Sequence, residues 1–533
     1  MLRSSIPLRP VSVRGYSAVA VTPHGLSTQA AMTILAMGGN AVDAAIAANA
    51  AQGVVAPETC GIGGDLFVLL AGEGDDRPAA LNASGRAGSG ALGLAEELRA
   101  HGHDSIPQRH PGAVSVPGCV DGWIELHRSK GRLELGRILE PAIRLAKNGF
   151  PASRELARAF GGRREELVNE PSAVAMYPGA KPPLEGERIV RPELARTLEG
   201  IAEHGRKAFY DGTVGQAISE ATGGAITADD LASPHQEWVE ALSVDVFGST
   251  AWTVPPNSQG YIALLGMAIL HRFGIEDLDD PLAWHLSIEA YRQAAADRDD
   301  LLADPDSMAM HPADLVAAAR VEEMVERISL DRVADASPAN PGSGGTAYMC
   351  VVDGEGLGVS LIQSNFHGIG SGRSARGTGF LLQDRGRGFT LQPGHPNELR
   401  PGRRPLHTLS PTLWTTAGKL RAVVGTRGGH IQPALIMQLA HSLIGHQQDA
   451  AGAMAFPRWA SDLAGPSSHP SVVQVEPGAP EAVTEGLTQR GHRVESLDFP
   501  QPGWGPMSAI TVTDDLRTGV ADPRVDTATA AAS

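Results

Sequence analysis

Apolar and polar positions follow two rhythms in this chain, a helical one before residue 346 and a strand-like one after it. Residues 16–21 alternate as a strand that ends at Thr22-Pro23-His24-Gly25, and Ser27 is placed to cap a helix over 28–37, which Gly38-Gly39 terminates. Asn40 then caps a second helix, with Asp43 in its first turn and alanines through Ala51, a composition that predicts close helix packing. Cys60-Gly61-Ile62-Gly63-Gly64-Asp65 opens an apolar strand over 66–70. Helices are predicted at 121–129, 135–147, 261–272 and 284–302, the last with Glu289, Arg292, Asp297 and Arg298 forming intrahelical pairs. Beyond Thr346, strands 346–353 and 358–364 flank Gly354-Glu355-Gly356-Leu357 as a hairpin, which sets Ser364 on the strand beside Thr346. A short strand at 380–382, a strand at 420–424 and a helix over 434–443 follow, and the tail after Asp526 is alanine-rich.

Composition narrows the class. With 533 residues, 42% hydrophobic and 20% charged, the chain has the make-up of a soluble globular protein large enough for a sizeable core. Its 63 glycines and 38 prolines point to many tight turns. A formal net charge of -16 argues against a nucleic-acid partner, which needs basic patches. The three cysteines, Cys60, Cys119 and Cys350, lie far apart and form neither a disulfide framework nor a zinc motif. No apolar run long enough for a signal h-region or a membrane span is visible, so the expected location is cytoplasmic.

The candidate chemistry centres on Gly344-Gly345-Thr346-Ala347. The preceding Ser337-Pro338-Ala339-Asn340-Pro341-Gly342-Ser343 is breaker-rich, and a strand follows. A chain cut between Gly345 and Thr346 would give a threonine carrying nucleophile and base together, because an α-amino group titrates near pH 8. Locally the same residues also fit a plain loop-to-strand junction. Gly342-Ser343-Gly344-Gly345-Thr346-Ala347 has dinucleotide-fingerprint spacing but opens a strand rather than a helix. Arg86 beside Gly85 fits either a surface ion pair or a fork for a substrate carboxylate. Gly428-Gly429, at the entrance of a helix, offers backbone N–H groups to an oxyanion or makes a simple turn. His101-Gly102-His103-Asp104 lies in a polar loop and is read as solvated.

Taken in order, Gly38 to Ala45, Gly61 to Gly64, Pro255-Pro256, Thr346 to Asp353, Arg404-Pro405-Leu406, Ser410-Pro411-Thr412, Gly428-Gly429 and Ala521 to Arg524 resemble the γ-glutamyltransferase family of N-terminal nucleophile hydrolases along nearly the whole chain. The resemblance implies an α+β fold, a four-layer αββα sandwich made as one precursor and cut into a large subunit, 1–345, and a small subunit, 346–533. It implies that Thr346 attacks an amide carbonyl, that Ser364 orients it, and that Gly428 and Gly429 form the oxyanion hole. Arg86 and Thr408 then match the family's carboxylate-holding positions, and no metal or cofactor is required. The partners are a small-molecule amide and the other subunit, with room for a homo-oligomer of the processed pair.

Departures from the family pattern bear on substrate. Where typical members carry an acidic residue for the α-amino group, this chain has Gly388 within Gln383-Asp384-Arg385-Gly386-Arg387-Gly388-Phe389. His407 replaces the first of two paired serines, and Asn365 follows Ser364 directly. Arg385 and Arg387 favour a more anionic ligand, and Gln383 or Asp384 remain for an amino group. The pattern resembles the divergent branch that includes γ-glutamyltransferase-like proteins, glutaryl-cephalosporin acylases and oxamate amidohydrolases. Expected substrates are γ-glutamyl amides such as glutathione, or carboxylate-bearing amides without the amino group (glutaryl amides, oxamate). Hydrolysis is favoured over transfer because the segment between Phe389 and Arg404 is too short for a lid. An unprocessed binding or scaffold protein is the rival from another class.

Overall fold

The structure is a computed structural model, and its description covers residues 10–334, 345–461 and 472–533. The 337–343 segment, Gly344 and the 1–7 lead lie outside those residues. Among the described residues, fourteen strands build two large sheets: β1 (Ser12–Gly15), β2 (Val19–Thr22), β3 (Asp65–Ala71), β4 (Ala79–Ala83), β5 (Glu237–Glu240), β6 (Leu242–Val246), β7 (Ser249–Thr253), β8 (Gly345–Val352), β9 (Gly358–Phe366), β10 (Thr412–Thr416), β11 (Lys419–Thr426), β12 (Met507–Thr513), β13 (Leu516–Ala521) and β14 (Thr529–Ala532). One sheet runs β14-β2-β8-β9-β3-β4-β5 and the other β1-β13-β12-β11-β10-β7-β6. Their ladders are antiparallel throughout.

Period-two alternation explains the layering. On β8, Tyr348, Cys350 and Val352 face the other sheet and meet Phe67, Ile362, Leu413, Val423 and Ile510 in an intersheet core. Ala347, Met349 and Val351 point the opposite way, into a core built with α1 (Gly25–Ala36) and α2 (Ala41–Val55). On the second sheet Trp414, Ala422 and Val424 face outward onto α3 (Tyr261–His271), α4 (Pro281–Ala295) and α5 (Gln432–Ala440). Helix, sheet, sheet, helix is therefore the order of layers, and the central strands are apolar on both faces because both are covered.

Local chemistry sets several boundaries. Asn40 caps α2 in a reciprocal box with Asp43, as its sequence predicts. Asp43 also accepts the N–H groups of Arg132 and Leu133, which ties α2 to the segment following Lys130. α1 starts earlier than predicted, capped by His24, whose Nδ1 accepts the Leu26 N–H at 3.1 Å. Ser27 instead donates to Gln52 Oε1 at 2.8 Å, locking α1 onto α2. The long helix expected at 284–302 is two, α4 and a short turn Arg298–Leu301. Glu289 and Arg292 do pair within α4 at 2.8 Å, whereas Asp297 turns outward to Arg320 at 2.5 Å. Residues 380–382 make a single bridge, Ser374 with Leu381, rather than a strand. The alanine-rich tail is β14, paired edge-on with β2. No helix among the described residues is long and apolar enough to cross a membrane.

Candidate active site

Thr346 sits at the head of β8, at one end of the intersheet core. Gly345 pairs with Phe366 and Ala347 with Gln363, so Ser364 and Asn365 together oppose Thr346 in a bulge. Bulges of this kind re-aim a side chain. Here Thr346 Oγ1 donates to Ser364 Oγ at 3.3 Å, both buried. Ser364 Oγ in turn donates to the Gly345 carbonyl oxygen at 2.6 Å and accepts the Phe366 N–H at 2.7 Å. One hydroxyl thus bridges Thr346 Oγ1 and the carbonyl of the Gly345–Thr346 bond. The junction is tightly enclosed: a Cβ on Gly345 would lie 2.6 Å from Gly368 Cα and 2.7 Å from the Glu58 carbonyl oxygen.

Contacts lead outward from there. Phe366 adopts a φ of 76°, which bulky residues rarely occupy, and its ring lies under the Arg385 guanidinium at 3.9 Å. Arg385 is fully buried and donates from Nη1 to Thr408 Oγ1 at 3.2 Å. Its Nε and Nη2 have no hydrogen-bond partner among the described residues. Burial pulls its pKa down to about 10, against the opposing fields of Asp65 and Asp384. A guanidinium in this state has two donors able to pair with an anion, and a buried charge is stable only when paired.

The two nearby carboxylates are already engaged. Asp65 Oδ1 accepts the Gly85 N–H at 3.0 Å, and Oδ2 lies 3.1 Å from His407 Nε2. His407 Nδ1 accepts the Leu409 N–H at 3.3 Å, so Nε2 carries the proton and donates to Asp65. Burial and the Arg385 charge push the His407 pKa well below its ordinary value, and burial lifts Asp65 to about 7. The contact is therefore a hydrogen bond to a neutral imidazole rather than an ion pair. Asp384 holds the His367 N–H at 3.0 Å and His367 Nδ1 at 2.9 Å, with Arg387 at 3.7 Å. Gln383 is spent on Ser115 and on the Arg385 amide.

Gly428 and Gly429 link β11 to α5 with φ values of 140° and 59°, both in the region that favours glycine. Their N–H groups have no hydrogen-bond partner among the described residues. Gln259 Nε2 ties this turn to the Arg385 pocket by donating to the Thr408 carbonyl at 3.1 Å and to the Gly429 carbonyl at 3.0 Å. The adjacent His430 ring stands 6.5 Å from Phe366. Thr346, Ser364, Arg385, Thr408 and the diglycine are thereby joined through an unbroken series of contacts.

Arg86 and Asn365 stand apart from that series. Arg86 Nη1 binds Asp304 Oδ2 and the Gly402 carbonyl, both at 2.9 Å, and the side chain lines a separate cavity of about 550 Å³ with Trp238, Pro256 and Arg404. Asn365 lines a small cavity with Cys60, Arg191 and Phe380, with Oδ1 unpaired. Nothing in the local sequence marks Phe366 or Gln259 as part of the site. Only Asp65, directly after Gly63-Gly64, carried a local signal.

The sequence matches the family model described as gamma-glutamyltranspeptidase over residues 27–532. It is 34% identical to the glutathione hydrolase-like YwrD proenzyme of Bacillus subtilis, covering 97% of this chain and 98% of that one. It is also 34% identical to the oxamate amidohydrolase proenzyme of Klebsiella pneumoniae, covering 96% and 98%. The crystal structure of cephalosporin acylase from Bacillus halodurans superposes with a TM-score of 0.91 at 32% identity, covering 100% of this chain and 99% of that one.

Proposed function

This chain belongs to the gamma-glutamyltranspeptidase family of amide hydrolases, and we propose that it is a self-processing N-terminal threonine hydrolase for amides whose acyl group carries a second carboxylate and no α-amino group. Maturation starts from the Ser364 bridge. Thr346 Oγ attacks the Gly345 carbonyl carbon while its proton passes through Ser364 Oγ to the carbonyl oxygen. Collapse breaks the Gly345–Thr346 C–N bond, the nitrogen takes a proton, and the resulting ester is hydrolysed. The products are a chain ending at Gly345 and a chain beginning with a free Thr346 amine and hydroxyl. The proenzyme relatives support such a cut.

In turnover the freed amine removes the Thr346 hydroxyl proton, Oγ attacks the substrate carbonyl, and the amine protonates the departing nitrogen. The free amides of Gly428 and Gly429 are suited to hold the oxyanion. Water then releases the acyl group.

The observation that carries the substrate reading is Arg385, buried with two open donors at the nucleophile's side of the site. A carboxylate on the acyl chain satisfies both in a bidentate pair. An α-ammonium would find Asp65 and Asp384 already engaged and a guanidinium beside it. The oxamate amidohydrolase relative supports this reading, and the glutathione hydrolase-like relative supports γ-glutamyl amides instead. Parallel kinetics on glutaryl and γ-glutamyl anilides decide between them. Glutaryl anilide is expected to have the higher kcat/KM by at least about tenfold, near 1.4 kcal/mol. A γ-glutamyl preference of about a hundredfold overturns the reading.

A further inference from the structure

Three residues beyond Ser364, His367 forms a dyad that the chemistry above does not use. Its backbone N–H and its Nδ1 are both held by the buried Asp384 carboxylate, at 3.0 and 2.9 Å. A carboxylate only accepts, so Nδ1 carries the proton and Nε2 is left with a lone pair. Arg387 Nη1 also reaches Nδ1, at 3.2 Å, and Asp384, at 3.7 Å; the shorter 2.9 Å contact with the carboxylate sets the tautomer. Nε2 has no hydrogen-bond partner among the described residues, and the side chain keeps 22% of its surface exposed. Asp384 is itself fixed, its N–H donating to the Asn365 carbonyl at 3.1 Å. An imidazole with one nitrogen locked on a buried carboxylate and the other open is the arrangement of a general base.

Its place in the chain sets its backbone next to the Thr346 junction. The His367 ring packs on Phe366 with centroids 3.8 Å apart, on the aromatic that carries Arg385. The next residue, Gly368, abuts Gly345 so closely that a Cβ on Gly345 would collide with it. His367 is therefore a partly solvent-exposed base beside the Thr346 junction, whereas Thr346, Ser364 and Arg385 are buried.

We propose that His367, positioned by Asp384, activates the water that releases the acyl group from Thr346; this rests on the acyl-enzyme reading above. As the water oxygen bonds to the ester carbon, one O–H bond breaks and Nε2 takes the proton, while the carbonyl electron pair moves to the oxygen. Collapse expels Thr346 Oγ, which takes that proton back from the imidazolium directly or through a water. The freed amine serves acylation and His367 serves deacylation, so the two half-reactions draw on different bases.

Two variants separate this from a structural clamp. His367→Asn keeps an N–H where Nδ1–H meets Asp384 but deletes Nε2; Asp384→Asn keeps the shape but weakens the orientation. With glutaryl p-nitroanilide in a rapid-mixing experiment, H367N is expected to give a full burst of nitroaniline, one per site. Its steady-state rate then falls roughly a hundredfold, the lower end of a general base's contribution. The acylated Thr346 peptide accumulates by mass spectrometry, and added imidazole restores part of the rate. D384N is expected to lose about tenfold in the same step with burst rate and kcat/KM unchanged, KM falling along with kcat. Steady-state turnover within twofold of the parent, an equal fall of burst and steady state, or an H367N chain that stays uncut would each overturn the proposal. Absence of any acyl adduct on Thr346 in every protein, with turnover intact, would instead refute the acyl-enzyme reading itself.

Discussion

Replacing Arg385 by methionine should make the fold more stable and the enzyme nearly inactive. The side chain is fully buried, and its pKa is pulled down to about 10 by that burial. The sign follows from which form is disfavoured. The protonated form pays on folding at every pH below the folded value, and the cost vanishes only as pH rises past the unfolded value. At neutral pH the full cost is present, about 3 kcal/mol for a drop of that size. Methionine removes the charge and fills the space over the Phe366 ring. Measured by urea unfolding on an uncut Thr346→Ala background, R385M should gain 1–3 kcal/mol, about the cost of the unpaired cation. Glutarate should raise the unfolding midpoint of the Thr346→Ala protein and leave that of the double variant unmoved, since only the first binds it. In the processed enzyme, losing two charge-assisted hydrogen bonds should lower kcat/KM for glutaryl anilide by at least about a hundredfold. A structural arginine behaves oppositely. Destabilisation of about 3–5 kcal/mol with kcat/KM preserved would refute the account of Arg385.

Thr346→Ala should remain a single full-length band on denaturing electrophoresis and show no hydrolysis. Gly345→Ala should slow or stop self-cleavage, because its Cβ would press on backbone atoms of Gly368 and Glu58 that cannot move aside; the fraction of uncut chain over time reads this out. Glu58 is buried with Oε2 unpaired, and burial lifts its pKa to about 8 from 4.5. Between those values the folded chain holds a proton that the unfolded chain has lost, so stability falls as pH rises through the window and the cost is complete above 8. Glu58→Gln should therefore stabilise by roughly 5 kcal/mol above pH 8 and by nothing near pH 4, checked by unfolding across that range.

Much of the fold is written locally, and much of the site is not. The Asn40–Asp43 box and the 345–366 hairpin depend on residues a few positions apart, so period and capping chemistry locate them. The α4 break at Ala296 has no local marker, and the 529–532 strand is invisible in an alanine tail because its partner, β2, lies some five hundred residues away. The same distance effect hides the Asp65–His407 contact. Arg86 and Arg385 look equivalent in sequence. Only tertiary packing gives one a carboxylate of the protein, Asp304, and leaves the other with open donors. Family resemblance, rather than periodicity, supplied the expectation of four layers, and the alternate faces of β8 explain why it holds.

The central claim is that the Thr346 hydroxyl, released by a cut at Gly345, is the nucleophile. It is tested most directly by purifying the full chain, separating it under denaturing conditions, and sequencing the smaller fragment from its N-terminus after a brief reaction with glutaryl anilide. Two fragments are expected, the smaller beginning Thr-Ala-Tyr-Met-Cys and carrying the glutaryl group on that first threonine in a quenched sample. A single uncut 55.6 kDa chain that hydrolyses the substrate, or a cut at any other bond, would contradict it.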